Sequence, residues 1–210
     1  AIEVKIQPDD AEWDAGDIRY NVLRWTSSPN APFGGYGPSF VNPRTGEIIG
    51  ADIMLEWVYA TNRLTINDIF NSSHLSTACS IGNLMQEGNM MSYLTSLDKD
   101  DPEILKQSII RLTLHEVGHT LGLNHNFKAS FLHDSKNVHN KELTQKVGLT
   151  GSVMEYPAVN IAPLGVEQGD YYDTRTGPYD LWAIEFGYTP QLTEEERRNL
   201  LSKSNRHEHM

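Results

Sequence analysis

The string HEVGHTLGLNH, residues 115–125, places three imidazoles and one carboxylate at offsets that chemistry can use. His115 and His119 are four apart, so a helix carries both on one face, one turn above the other. Two neutral imidazoles so placed can share one metal ion. Glu116 follows the first of them, where its carboxylate can reach a water at that metal. Gly122 tolerates backbone conformations that other residues resist, so the helix can stop and turn there. The turn lets His125 return to the same point from another direction. Three imidazoles with an open fourth position is the pattern of catalytic zinc, whereas structural sites close all four positions, usually with cysteine.

The segment before the motif has the marks of a helix that would carry it. Asp101 suits an N-cap, Pro102 the first helical position, and Glu103 the positive end of the dipole. Ile104, Leu105, Ile109, Leu112 and Leu121 supply an apolar face, and the helix is expected to end at Gly122, packed on a sheet. Residues 2–6 alternate and read as a short strand, 17–25 as a second strand, and 45–60 as one or two strands around Gly50. The Pro- and Gly-rich run 27–44 reads as an ordered loop in which Phe33, Tyr36 and Phe40 bury apolar area. Short helices are expected over 61–100, with Met85, Met90 and Met91 as core filler. After His125 a loop with a short helix is expected. PYDLWAIEFGY (178–188) then reads as a helix stopped by Gly187, and Thr193 with Glu196 as the capping box of a last helix over 194–203.

Composition excludes several classes. The chain has 210 residues, 39% of them hydrophobic, and a formal net charge of −11, with no basic stripe to meet a nucleic acid. No apolar run approaches the roughly 20 residues that span a bilayer. AIEVKIQPDD at the start lacks the basic and apolar regions of a signal peptide. The single cysteine, Cys79, reads as a small buried apolar residue, with a zinc-blocking thiolate as the functional alternative. The acidic run 98–101 reads as a turn and helix start, and nothing beyond its composition supports Ca2+ there. His74, His133, His139, His207 and His209 lack ligand spacing and read as surface or hydrogen-bonded groups.

With these residues in place, the chain resembles the metzincins, zinc endopeptidases with three histidine ligands. SVMEYP, after the third histidine, resembles their Met-turn, with Met154 beneath the metal. Tyr156 stands where astacins and serralysins carry a tyrosine that binds zinc or the reacting oxyanion. ADIMLEW at 51–57 resembles a strand of the matrixins, and PYDLWAIEFGY their C-terminal helix. The blocks RYNVLRW, NPRTGEI, HEVGHTLGLNHNFKAS, SVMEYP and GPYDLWAIEFGY are similar to those of the bacterial Met-zincin domains found in large secreted zinc-dependent metalloproteases, over roughly residues 17–190. Asn126 departs from the serine, aspartate or glutamate that follows the third histidine in the familiar animal groups, so their substrate rules do not transfer.

The resemblance implies an α/β fold of the α+β zincin type: a twisted mixed sheet on a long active-site helix, then a smaller, mostly irregular part with a C-terminal helix. It implies a catalytic domain over 1–190, divided near residues 122 and 123, and a helix and tail over 191–210. It further implies one catalytic Zn2+ on His115, His119 and His125, Glu116 as general base and acid, and Tyr156 as oxyanion donor. A protein or peptide substrate would pair with the sheet edge, and the setting would be extracytoplasmic, with flanking domains. Val159, Ile161, Ala162 and Leu164 suggest an apolar pocket for the side chain after the cut. Glu142 and Glu155 are the alternatives to His125 as third ligand. The rival reading is a zinc-stabilised binding module without catalysis, against which the intact Glu116 speaks.

Overall fold

Strand β4 (Ile48–Glu56) is the one to which every other described strand pairs. The computed structural model describes residues 3–29, 33–59 and 102–207. β1 (Val22–Thr26) runs parallel to β4, from Val22 opposite Asp52 to Thr26 opposite Glu56. On the other side β2 (Gly35–Tyr36) and β3 (Ser39–Val41) pair with β4 antiparallel, with an irregularity between Phe40 and Val41. The sheet is therefore mixed. Alternation along β4 buries Ala51, Ile53 and Leu55. Arg24 grips Asp52 across the parallel pair through two bonds of 3.0 and 2.9 Å. Glu56, also buried, accepts from the Thr26 and Ser28 hydroxyls and the Ser28 N–H, which ties the end of β1 to β4.

Helix α1 (Pro102–Thr120) packs on this sheet through Leu112, which joins Ile53 and Leu55 with Val117 and Tyr59 against them. Its N-terminal half has a second burden: Ile104 packs with Ile161 on a cluster of Val159, Tyr171 and Tyr172. A helix covered on two sides buries polar groups too, among them Gln107. Gln107 accepts from the Tyr171 and Tyr172 N–H groups and donates to Asp170, fixing the loop there to the helix. The expected N-cap, Asp101, lies outside the described residues, as do Cys79, His74, His209, Met85, Met90, Met91 and the acidic run 98–101.

Beyond α1 come two short 3-10 turns (Ala129–Leu132 and Asn137–His139), then α2 (Lys141–Val147), α3 (Pro178–Tyr188) and α4 (Glu194–Leu201). The α/β class with a mixed sheet on the motif helix is as expected. Several local readings are corrected. Residues 3–6 are exposed and form no strand, since no strand among the described residues takes up their backbone groups. The first strand begins only at Val22, after turns at 18–20. The 27–44 run contains β2 and β3, and Tyr36 and Phe40 are about half exposed rather than core. Of the one or two strands expected over 45–60, one forms, β4, running through Gly50, and the expected strand gives way to a helical turn at 57–59. α3 runs through Gly187 and is capped by Thr189, whose N–H and hydroxyl both reach the Glu185 carbonyl. The Thr193–Glu196 capping box is formed, and its helix ends at Leu201. No helix among the described residues is long and apolar enough to cross a membrane.

Candidate metal centre

The end of α1 closes by the two bonds of a Schellman turn: the Leu123 N–H reaches the Gly118 carbonyl at 3.0 Å and the Gly122 N–H the His119 carbonyl at 2.9 Å. Gly122 sits at φ +84°, where a side chain would strain the backbone. The chain reverses there and delivers His125 back to the helix face. The Nε2 atoms of His115 and His119 lie 3.2 and 3.0 Å from Nε2 of His125. A tetrahedral metal with bonds of 2.0–2.1 Å to nitrogen sets its ligands about 3.3 Å apart, so the spacing fits one ion.

The proton positions fit as well. His115 donates from Nδ1 to the Val153 carbonyl at 2.8 Å, and His119 from Nδ1 to the Leu123 carbonyl at 3.0 Å. Each ring therefore presents a bare lone pair at Nε2. Burial pushes His115 down to about 4, and burial followed by the charge of His119 lowers His125. Three ring nitrogens, two of them on rings whose other nitrogen is turned to a carbonyl, thus converge on one point, an arrangement suited to a shared Lewis acid.

Glu116 is buried, and its desolvation pushes the carboxyl up to about 7 while the Gly37 N–H draws it back. Tyr156 emerges from the turn after Met154 with its hydroxyl 2.8 Å from His125 Nε2. Its ring is half exposed and lies 4.8 Å from that of His115. Met154 is fully buried below the helix, and a Cβ added at Gly118 would overlap its sulfur, so the glycine between the two helical histidines makes room for the methionine. The Asn126 N–H, next to the third histidine, holds the Met154 carbonyl at 3.1 Å.

Among the described residues this trio is the one group of three metal-binding side chains within 4.8 Å of one another. Glu142, exposed on α2, stands outside it. Glu155 is buried with its oxygens taken by the N–H groups of Tyr156 and Ser130. His133 reaches the Gly148 carbonyl, a structural bond. The expected apolar pocket wall is not formed as a unit. Val159 and Ile161 belong to the core cluster, whereas Leu164 is fully exposed.

Two carboxylates that sequence reasoning passed over build the turn under the metal centre. Asp180, third residue of α3, accepts from Ser152 Oγ at 2.5 Å and from the N–H groups of Val153 and Gly177. Ser152 Oγ in turn accepts from the Met154 N–H at 3.0 Å. An acid in the first turn after Pro178 is visible in the sequence, but the segment it grips lies 27 residues away. Asp173 receives the Leu149 and Thr150 N–H groups on Oδ1 and faces Thr150 Oγ1 at 2.9 Å. Thr150 Oγ1 also points at the Ser152 carbonyl at 2.8 Å, and one hydroxyl has one proton. The set closes if Asp173 is protonated, donating to Thr150, which donates to Ser152. Burial indeed pushes Asp173 from 3.8 up to about 6, against the pull of Thr150 and Leu149.

A folded pKa raised above the unfolded value gives stability that is full below about 3.8 and is lost as pH rises through about 6. Asparagine mimics the protonated form at every pH. The thermal stability of the parent relative to Asp173→Asn should therefore rise on going from pH 7 to pH 4, by up to about 3 kcal/mol. Thermal melts that stay parallel across that range would exclude the protonated acid.

A family model described as Met-zincin matches residues 97–209. No curated protein and no solved structure matches the chain.

Proposed function

Because the chain belongs to the Met-zincin family, we propose that it is a zinc-dependent endopeptidase, with His115, His119 and His125 as the metal ligands and Glu116 as the general base. The observation that carries this reading is the convergence of three Nε2 atoms, two of them oriented by carbonyls, with a buried carboxyl one residue after the first. Zinc, when bound, supplies Lewis acidity to the attacking water and the scissile carbonyl. Glu116 takes the proton of the attacking water and passes it to the leaving amine. Its burial suits both roles, since a carboxyl held near neutrality can hold or release a proton. A substrate strand would pair with the β2 and β3 side of the sheet, which makes recognition tolerant of sequence. What supports an extracytoplasmic setting is the family likeness; the family match itself runs on to residue 209, past the boundary expected near 190.

Digestion of a proteome-derived peptide library by zinc-loaded protein tests the reading, with mass spectrometry as the readout. New termini that vanish on chelation and return with zinc are expected. A zinc-loaded chain that leaves the library intact would favour the binding-module reading.

Tyr156 is proposed as the oxyanion donor, supported by its hydroxyl at the His125 nitrogen and its exposed ring face. Tyr156→Phe removes the hydroxyl and keeps the ring. We expect kcat to fall by about 10–10³-fold with KM and zinc content little changed. An unchanged kcat in steady-state assays on one good peptide would leave Tyr156 as packing alone.

A further inference from the structure

Arg111 stands one helical turn before His115 on α1 and is half-buried. No carboxylate pairs with it among the described residues. This is an unusual place for an unpaired guanidinium, since a second cation is to bind nearby and like charges repel. Its contacts show what holds it there. Nη2 donates to the main-chain carbonyl of Glu155 at 2.9 Å, and Cζ lies 5.4 Å from the centre of the Tyr156 ring. Nε is buried with no acceptor. The Glu155 carboxylate, an evident partner for a guanidinium, instead accepts the Tyr156 and Ser130 N–H groups.

Tyr156 needs such a hold. Half its surface meets solvent, and its other ring contacts are His115 at 4.8 Å, His125 at 4.7 Å and Phe127 at 6.1 Å, the last itself largely exposed. Rotation about its first side-chain torsion would carry the phenol away from the metal centre. A planar guanidinium that bonds the preceding carbonyl and faces the ring fixes backbone and ring together. We propose that Arg111 is the positioning residue of Tyr156, holding the phenol oxygen at the three-imidazole centre. The kinetic consequence rests on the peptidase reading above; the positional claim does not.

The test uses the full zinc-loaded chain with tyrosine carrying 13C in the ring. The Tyr156 signal is assigned by its loss in Tyr156→Phe. Arg111→Met keeps an apolar stem and removes the fork. Arg111→Lys keeps the charge and loses the planar face. With zinc content unchanged, the Tyr156 signal should move to the position of solvent-exposed tyrosine in Arg111→Met and part of the way in Arg111→Lys. In an active chain, kcat of Arg111→Met should fall by about the factor seen for Tyr156→Phe, with KM unchanged, and the double variant should lose little more. A Tyr156 signal that stays in place in a folded, zinc-loaded variant would overturn the assignment, and Arg111→Lys decides it if Arg111→Met does not fold. The ring signal reads even in a chain that cuts nothing, so failure of the peptidase reading and failure of this one are separable.

Discussion

Glu116→Gln is expected to keep the fold and the zinc of the parent while peptide hydrolysis falls by at least about 10²–10⁴-fold, the ordinary worth of one general base. The loss should lie toward the upper end because the same group is proposed to deliver the proton to the leaving amine. Glutamine has the shape of the acid and cannot take a proton at neutral pH. Retention of fold is expected for a physical reason: Glu116 is buried, and its charge is the disfavoured form there, so a neutral isostere removes a desolvation cost. Zinc should stay because Glu116 is not part of the imidazole trio. Steady-state rates at matched zinc content check this. A variant with parental kcat would remove Glu116 from the chemistry and with it the proposed mechanism.

His125→Ala should strip the metal. His125 Nε2 is the hub of the centre, 3.2 Å from His115, 3.0 Å from His119 and 2.8 Å from the Tyr156 hydroxyl. Without it, two helical nitrogens remain. Changing a residue that merely orients a ligand already costs about 10–100-fold in metal affinity, so loss of a ligand should exceed about 10²-fold and take activity to background. The ring is exposed, and its removal leaves no core cavity, so the melting temperature of the metal-free protein should be nearly parental. Competition with a zinc chelator of known affinity measures the change. Parental affinity in His125→Ala would place the third ligand elsewhere, a role for which Glu155 would have to give up its two N–H partners.

What could be read from the sequence was local. The His115–His119 spacing, the Gly122 reversal and the Thr193–Glu196 box each depend on neighbours a few residues apart, where helix geometry is fixed. What was missed depends on partners brought together by the fold. Asp180 reaches back to Val153, Gln107 across to Tyr171, and Arg111 to Glu155, over separations of 27 to 64 residues. A buried polar residue is satisfied by whatever the fold delivers, and no spacing rule names that partner. Residues 3–6, Tyr36 and Phe40 failed for a related reason. An alternating or aromatic stretch shows the capacity to bury a face, and only a neighbouring element decides whether it does. The apolar wall read into 159–164 divided the same way, since Val159 turned to the core and Leu164 to solvent.

The peptidase reading turns on three imidazoles sharing one ion, and X-ray absorption at the zinc edge of the stoichiometrically loaded protein reads that shell directly. The expected spectrum has three imidazole nitrogens at about 2.0–2.1 Å, with the outer-ring scattering that marks imidazole, and oxygen or nitrogen in what remains of the shell. A spectrum with fewer than three imidazoles, or with sulfur at about 2.3 Å, would contradict the centre built from His115, His119 and His125.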